Sequence, residues 1–161
     1  MKRIIAICGI KNSGKTTLIK KLVQALSASG LRVAVIKHDG HDFACDIPDT
    51  DTWHFTESGA YGVACFSKNR AFIHRTGTGD SYTDLIAQFP EADLILIEGA
   101  KDSTFPKIEV IRKAISDHPA SNPEGRFLIA TDWPEGTFAE QTAGIDEIEK
   151  IAGILESLQS P

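Results

Sequence analysis

The chain has 161 residues, of which 42% are hydrophobic and 24% are charged, and these proportions are typical of a globular domain rather than a fibre or a disordered chain. Its net charge of -5, without a block of Lys and Arg, argues against non-specific nucleic-acid binding, which needs clustered cations. Cys8, Cys45 and Cys65 lack the spacing of a disulfide framework, and the apolar run Ile4 to Ile10 is too short to span a bilayer. We therefore expect a cytoplasmic protein that contacts neither nucleic acid nor membrane.

Apolar runs alternate with helical patterns along the first third of the chain, which is typical of parallel strands joined by helices. Arg3 to Cys8 predicts a strand buried on both faces, which ends at Gly9. A helix follows and is expected to stop at Gly30. Its apolar stripe comprises Leu18, Ile19, Leu22, Ala25 and Leu26. Arg32 to Lys37 predicts the second strand. Apolar residues from His38 to Thr52 follow neither the helical nor the strand spacing, so a loop is predicted there.

The same alternation continues to the end of the chain. The predicted elements are hairpin strands Gly62 to Ser67 and Ala71 to His74 outside the main sheet, a helix from about Tyr82 to Phe89, and strands Leu94 to Ile97, Lys107 to Ile111 and Phe127 to Thr131. A closing helix has an apolar stripe from Ile145 to Leu158, with Asp146 and Glu147 near its positive end. The pattern predicts an α/β fold with a mostly parallel central sheet flanked by helices.

Gly9 to Thr16 matches the pattern G-x-x-x-x-G-K-[ST] of a phosphate-binding loop, between a predicted strand and a predicted helix. Glycines let successive backbone N–H groups curl around phosphate oxygens. The Lys15 ammonium can reach the β- and γ-phosphates, and the Thr16 hydroxyl is placed to ligate magnesium. The predicted nucleotide-binding residues are Gly9, Lys11, Asn12, Ser13, Gly14, Lys15, Thr16 and Thr17. We therefore predict a three-layer P-loop NTPase fold, with residues 1–161 as a single domain that binds a nucleoside triphosphate.

Carboxylates near the metal are predicted in two other segments. Glu98 follows the strand Leu94 to Ile97 and is suited to hold a magnesium-bound water or to orient the attacking water, although a Glu here can also begin a solvated loop. Asp46 is the leading candidate for the magnesium shell, because loops at the carboxyl edge of such a sheet converge on the ligand. The predicted catalytic residues are Lys15, Asp46 and Glu98, and the predicted metal ligands are Thr16, Asp46 and Glu98.

Two further groups of residues leave alternatives open. His38, His41 and Cys45 have side chains that suit zinc or nickel, but their spacing is not that of a known zinc module. Asp132 could accept hydrogen bonds from guanine, and it is equally compatible with a turn before Pro134. The chain has no Asn-Lys-x-Asp run of the kind that many GTPases use to bind guanine.

Several of these segments together resemble the family of molybdopterin-guanine dinucleotide biosynthesis protein B. They are Gly9 to Thr17, Val35 to His38 with His41 and Asp46, Leu94 to Gly99, and Pro106 to Val110. The resemblance implies a GTP-binding, weakly hydrolysing and dimeric P-loop protein that uses Mg²⁺ and assists the enzyme attaching GMP to the molybdenum-pterin cofactor. Whether molybdopterin itself binds is left open. The loop residues implied to line the site are Lys37, His38, His41, Gly99 and Lys101.

The chain departs from the expected patterns in two places. Asp49 and Thr50 stand where the family pattern leads us to expect a Gly-Lys pair. In many dimer-forming P-loop proteins a signature lysine follows the first glycine of the loop, whereas here Ile10 holds that place and Lys11 comes one position later. We therefore do not assign Lys11 to a dimer interface.

Two alternative functions follow from the residues. A small-molecule kinase would bring arginines over the phosphates from a mobile lid, and Arg70, Arg75 and Arg112 are too dispersed in sequence to establish one. A metal-delivery GTPase would use the loop containing His38, His41 and Cys45.

Overall fold

The computed structural model describes residues 2–39, 43–77 and 79–158. The described residues fall into two compact units, one within residues 2–38 and 85–158 and the other within residues 39–84. The interpretation of residues 1–161 as one P-loop domain stays a prediction. Within the described ranges, no helix is both long enough and apolar enough to cross a membrane.

Twelve elements follow one another in the described part of the chain. They are β1 (Arg3–Cys8), α1 (Lys15–Ala28), β2 (Val33–Lys37), α2 (Asp51–Glu57), β3 (Gly62–Phe66), β4 (Ala71–Arg75), α3 (Tyr82–Ala87), β5 (Leu94–Glu98), β6 (Lys107–Ile111), β7 (Arg126–Thr131), β8 (Thr142–Gly144) and α4 (Ile148–Ser157). The predicted strands thus form where the apolar runs lie, with ends within one residue of those expected.

Six strands form one parallel sheet in the order β2-β5-β1-β6-β7-β8. All six carboxyl ends therefore lie at the same edge, where β1, β2 and β5 end side by side. The register places Glu98 opposite both Ile7 of β1 and Lys37 of β2. The predicted α/β fold with a mostly parallel central sheet is confirmed. β3 and β4 form a separate antiparallel pair, as the hairpin pattern predicts.

The main core lies between one face of this sheet and the helices α1 and α4. Alternate strand residues face the helices, because side chains of a strand point to opposite faces in turn. Among the fully or almost fully buried members are Ile7, Leu22, Leu96, Ile108, Leu128 and Leu155. α1 ends as predicted before Gly30, whose φ of +93° lets the chain turn while Leu31 N–H donates to Leu26 O at 3.1 Å.

The opposite face of β6 is buried as well, although it carries charged side chains. Lys107 is fully buried, and its ammonium donates to the carbonyl oxygens of Ser103, Asn122 and Glu124. Glu109 is also buried and accepts a hydrogen bond from Ala120 N–H at 2.7 Å. Connecting segments thus supply acceptors for the Lys107 ammonium and a donor for one oxygen of Glu109, whose Oε2 is buried without a partner among the described residues.

The structure adds two elements that the sequence patterns do not predict. α2 begins at Asp51, so the predicted loop from His38 to Thr52 is wrong at its end; Thr50 caps this helix by accepting a hydrogen bond from Trp53 N–H at 3.4 Å. β8 has only three residues and is held in place by its pairing with β7.

Two predicted helices are shorter than expected. α4 begins at Ile148 rather than Ile145, because the Ile145 N–H donates to Thr131 O of β7 at 3.0 Å. α3 ends at Ala87, and Phe89 beyond it makes an i→i−3 backbone hydrogen bond instead of continuing the helix.

Candidate phosphate-binding site

The loop between β1 and α1 has backbone conformations that its glycines permit. Gly9 has a φ of +137°, and a Cβ built on it would lie 2.6 Å from the carbonyl oxygen of Val110 and 2.7 Å from Ser13 Oγ. Gly14, at the start of the helix, has a φ of +102°. Asn12 also lies in the left-handed region, with a φ of +65°. The sequence therefore folds here as a tight loop whose end is the N-terminus of α1.

Lys15, the first residue of α1, turns its side chain back over this loop. Its ammonium donates hydrogen bonds to the carbonyl oxygens of Gly9 at 3.0 Å and Ile10 at 2.8 Å. The positive charge is thus held beside the helix N-terminus, where the helix dipole also favours an anion.

Thr16 and Glu98 are brought together although they are far apart in sequence. The Thr16 hydroxyl donates to Glu98 Oε1 at 2.8 Å. Hydroxyl and carboxylate oxygens, with waters completing the shell, are ligands that suit Mg²⁺. Two of the three predicted metal ligands therefore lie in direct contact.

A polar cleft of about 440 Å³ opens at this edge of the sheet. It is lined by Lys11, Asn12, Gly14, Lys15, Thr16, Thr17, Lys37 and Glu98. Its lysines outnumber its single carboxylate, so the local charge favours an anion despite the negative net charge of the whole chain. Of the predicted nucleotide-binding residues, Gly9 and Ser13 lie behind this lining and shape the loop; Ser13 is fully buried.

The ends of β2 and β5 bring three more predicted residues to the same edge. Lys37 lines the cleft, and the His38 N–H donates to Glu98 O at 3.2 Å. Gly99 donates its N–H to Ile7 O at 3.0 Å. Lys101 is exposed and does not belong to the cleft lining.

The Cys8 side chain holds the start of the segment after β5 in place through a hydrogen bond. Its thiol donates to Gly99 O at 2.9 Å. Burial, reinforced by the nearby Glu109 carboxylate, raises the pKa of the Cys8 thiol to about 12. The group is therefore a neutral hydrogen-bond donor and not a nucleophile.

Asp46 lies in the unit formed by residues 39–84. Its Oδ1 accepts hydrogen bonds from Ile47 N–H at 2.8 Å and from the Thr52 hydroxyl at 3.2 Å. Its Oδ2 is buried and has no hydrogen-bond partner among the described residues. The assignment of Asp46 to the magnesium shell stays a prediction.

The residues behind the two alternative functions are not gathered into a site that the structure describes. His41 lies outside the described residues, and Cys45 is exposed. Within ranges 2–39, 43–77 and 79–158, no group of three or more His, Cys, Asp or Glu side chains is placed to hold a metal ion. Arg75, one of the arginines considered for a lid, pairs with Asp80 at 2.8 Å.

Asp132, the candidate guanine acceptor, follows β7 at the same edge of the sheet. Its Oδ1 accepts a hydrogen bond from Lys113 N–H at 2.6 Å. The Lys113 ammonium lies 5.1 Å from the centre of the Trp133 ring. These two contacts of Lys113 explain how the turn after β7 is held. Guanine recognition by Asp132 stays a prediction.

The sequence analysis considered Arg112 only as one of three arginines too dispersed to form a lid, and it did not place this residue at the phosphate loop. Arg112 directly follows β6, and its Nη2 lies 3.3 Å from the point where a Cβ on Gly14 would be. The available signal was an arginine immediately after a predicted strand of the sheet, since strand ends converge on the ligand edge. Spacing along the chain does not reveal the contact, because Gly14 and Arg112 come from different strand–loop units.

The glycine loop between a central parallel strand and a helix, with a lysine and a threonine–carboxylate pair at its mouth, defines a P-loop NTPase fold. Residues 4–132 match the family described as molybdopterin guanine dinucleotide synthesis protein B. The chain belongs to this family.

Relatives of known name and structure agree with this assignment. The chain is 32% identical over 157 residues to the molybdopterin-guanine dinucleotide biosynthesis adapter protein of Haemophilus influenzae, covering 96% of this chain and 88% of the relative. It is 33% identical over 134 residues to the protein of the same name from Escherichia coli, covering 79% of this chain and 75% of that relative. A crystal structure of molybdopterin-guanine biosynthesis protein B superposes with a TM-score of 0.75 at 28% identity, over 97% of this chain and 99% of that one. The Bacillus subtilis MobB structure gives a TM-score of 0.78 at 24% identity, over 99% of both chains, and so shares the fold.

Proposed function

We propose that the protein binds GTP with Mg²⁺ at the phosphate loop, hydrolyses it slowly, and acts as an accessory to the enzyme that attaches GMP to the molybdenum-pterin cofactor. The observation that carries the proposal is that the Lys15 ammonium and the Thr16–Glu98 pair line one cationic cleft. The accessory role is supported by relatives that are named adapter proteins of molybdopterin-guanine dinucleotide biosynthesis.

Mg²⁺ fits the oxygens that the site offers. The Thr16 hydroxyl and the Glu98 carboxylate would hold it, and the ion would supply positive charge that offsets the charge of the polyphosphate. Asp46 is proposed as a further ligand because its place in the sequence, in the segment after β2, is one from which loops of such a sheet reach the ligand. Substituting Asp46→Asn keeps the shape of the side chain and removes the charge, so it tests this ligand separately.

Slow hydrolysis is proposed because the described cleft lining contains no glutamine to orient water. Glu98 is the acid that remains for this task, and it is also engaged by the Thr16 hydroxyl. Binding is therefore expected to be the main contribution of the loop, with catalysis secondary. The cytoplasm is proposed as the compartment, because three cysteines without the spacing of a disulfide framework are typical of proteins in a reducing environment.

We also propose that two copies of the chain pair through β3 and β4. Ala64, Phe66 and Ile73 lie on one face of this two-stranded sheet, and Phe66 and Ile73 are 85% and 64% exposed. A two-stranded sheet is marginally stable by itself, and an exposed apolar face is commonly covered by a partner. A second copy supplies an identical apolar face, as a two-fold interface requires.

The proposal is tested by titrating GTP and ATP into the protein with Mg²⁺ in a calorimeter. Lys15→Ala removes the ammonium that would contact two phosphates, so we expect GTP to bind roughly 100-fold more weakly, with the fold intact by circular dichroism. Lys20→Ala is the matched control, because Lys20 lies exposed on the same helix. Equal GTP affinity of Lys15→Ala and wild type, or no heat with any triphosphate, would contradict the proposal.

The accessory role needs a second measurement. GMP attachment by the partner enzyme should be faster with this protein and GTP than with the Lys15→Ala variant and GTP. Release of phosphate by this protein without the partner should remain slow. An unchanged rate of GMP attachment would remove the accessory role and leave nucleotide binding to be judged by calorimetry.

A further inference from the structure

Arg112 approaches the phosphate loop from the side of β6. Its Nη2 lies 3.3 Å from the Cβ position of Gly14, closer than side chains normally approach a Cβ. Gly14 also lines the cationic cleft. The Arg112 guanidinium thus lies beside a residue that lines the cleft, and a side chain at position 14 would push the guanidinium away.

Within the described residues, hydrogen bonds do not satisfy the whole Arg112 guanidinium. Its Nε is buried and makes no hydrogen bond within the described part of the chain. Arg112 acts electrostatically on Asp146, whose pKa is lowered by Lys21 first and by Arg112 to a lesser degree. Asp146 accepts its hydrogen bond from Lys21, at 2.7 Å, rather than from Arg112. An arginine whose hydrogen bonds are not all satisfied is available for an external anion.

We propose that Arg112 binds the polyphosphate of the nucleotide held by the phosphate loop, so that the chain supplies an arginine to its own site. The inference rests on the proposed function. The guanidinium is planar and always charged, and its donors match phosphate oxygens in pairs. Its flexible stem lets it cross the edge of Gly14, where no Cβ blocks the way. Lys15 and Arg112 then contact the polyphosphate from the two sides of the loop.

The backbone keeps Arg112 at this point of the loop. Its carbonyl oxygen accepts hydrogen bonds from Ile115 N–H at 2.8 Å and Ser116 N–H at 2.9 Å. The following residue, Lys113, is bound to Asp132 through its N–H. The Arg112 Cα is therefore fixed, and only its side chain has to move when an anion enters.

Arg112→Met tests the proposal, since methionine keeps an apolar stem against Gly14 and removes the charge. We measure the affinity for GTP and, by competition, for inorganic tripolyphosphate. Arg112→Met should weaken both by about tenfold or more, the loss expected for a charged hydrogen bond. Arg112→Lys should recover part of both affinities. Lys20→Met is the control, because it removes an exposed charge of the same sign that does not line the described cleft, and its affinities should equal those of wild type.

The outcomes separate this inference from the proposed function. If Arg112→Met binds GTP within twofold of wild type, Arg112 only packs against the loop and the inference is wrong. The inference also fails if only GTP affinity falls and tripolyphosphate affinity does not, or if Arg112→Lys is as weak as Arg112→Met. If wild-type protein binds neither GTP nor tripolyphosphate, the proposed function itself is wrong. Thermal unfolding of each variant checks that the fold is kept.

Discussion

At Gly9 the backbone has a φ of +137°, and an added Cβ would meet the carbonyl oxygen of Val110 at 2.6 Å. A carbonyl of a sheet strand cannot move aside, so Gly9→Ala combines backbone strain with a collision. We expect this variant to lose about 2 kcal/mol or more of unfolding free energy and to bind GTP poorly. Urea unfolding and calorimetry measure the two effects.

Gly30→Ala is the control for Gly9→Ala at the same scale. Gly30 also has a positive φ, +93°, but nothing lies within 4 Å of its Cβ position. It should show the cost of strain alone, about 1 kcal/mol, with normal GTP affinity. If the two variants are equally stable, the contact with Val110 does not shape the loop.

Other residue positions show where sequence reasoning stops. The loop Gly9 to Thr17 and Glu98 could be predicted because their chemistry follows local patterns, and Thr16 and Glu98 do meet. The burial of Lys107 could not, because its three acceptor carbonyls come from segments that no periodicity places. The contact of Arg112 with Gly14 was missed for the same reason.

Among the elements, the strands were predicted best. β1 and β5 lie in the centre of the sheet, and their apolar runs reflect burial on both faces. α2 was missed because Asp51–Glu57 carries no apolar stripe; its start depends on the Thr50 cap. β8 was missed because three residues are too few to show alternation, and its place depends on pairing with β7.

An ion pair between Arg32 and Asp93 joins the segments just before β2 and β5, and it leads us to expect that stability depends on pH. Asp93 accepts hydrogen bonds from Arg32 N–H at 2.8 Å and from the guanidinium Nε and Nη2 at 3.1 Å. These hydrogen bonds from Arg32 lower the pKa of Asp93 to about 2. Because the folded pKa is lowered, the contribution to stability is present above the ordinary pKa of Asp and is lost as pH falls toward 2.

Asp93→Asn should therefore be less stable than wild type at pH 7, and the difference should shrink between about pH 4 and pH 2. Both side chains are partly exposed, so added salt should also reduce the difference. Urea unfolding at several pH values measures it. A stability difference that stays constant from pH 7 to pH 2 would show that the Asp93 charge contributes nothing.

For the whole molecule, the net charge is negative, whereas the charge of the phosphate-loop cleft is positive. The chain carries -5 overall, while the described cleft is lined by Lys11, Lys15 and Lys37 against Glu98. Fields at short range are screened less than fields across the molecule. Nucleotide binding is thus compatible with an acidic protein, whereas composition alone excluded only the partners that need a broad basic surface.

At the same scale, the proposed pairing of two chains predicts the effect of a charge on the exposed face of β3 and β4. Ile73 lies opposite Ala64 and is 64% exposed, so Ile73→Lys should leave the single chain folded. Burying a lysine between two copies of this face is unfavourable, because an unpaired charge loses its water. Sedimentation should therefore show the wild type as a dimer and Ile73→Lys as a monomer.

Ile115→Lys is the matched control for this dimer prediction, since Ile115 is 42% exposed in the other compact unit. It should sediment like the wild type. A monomeric wild type would exclude the pairing, and a dimeric Ile73→Lys variant would move the interface away from this face. GTP titration of the Ile73→Lys monomer then shows whether the phosphate loop needs the second copy; Ile73 itself does not line the described cleft. We expect unchanged affinity.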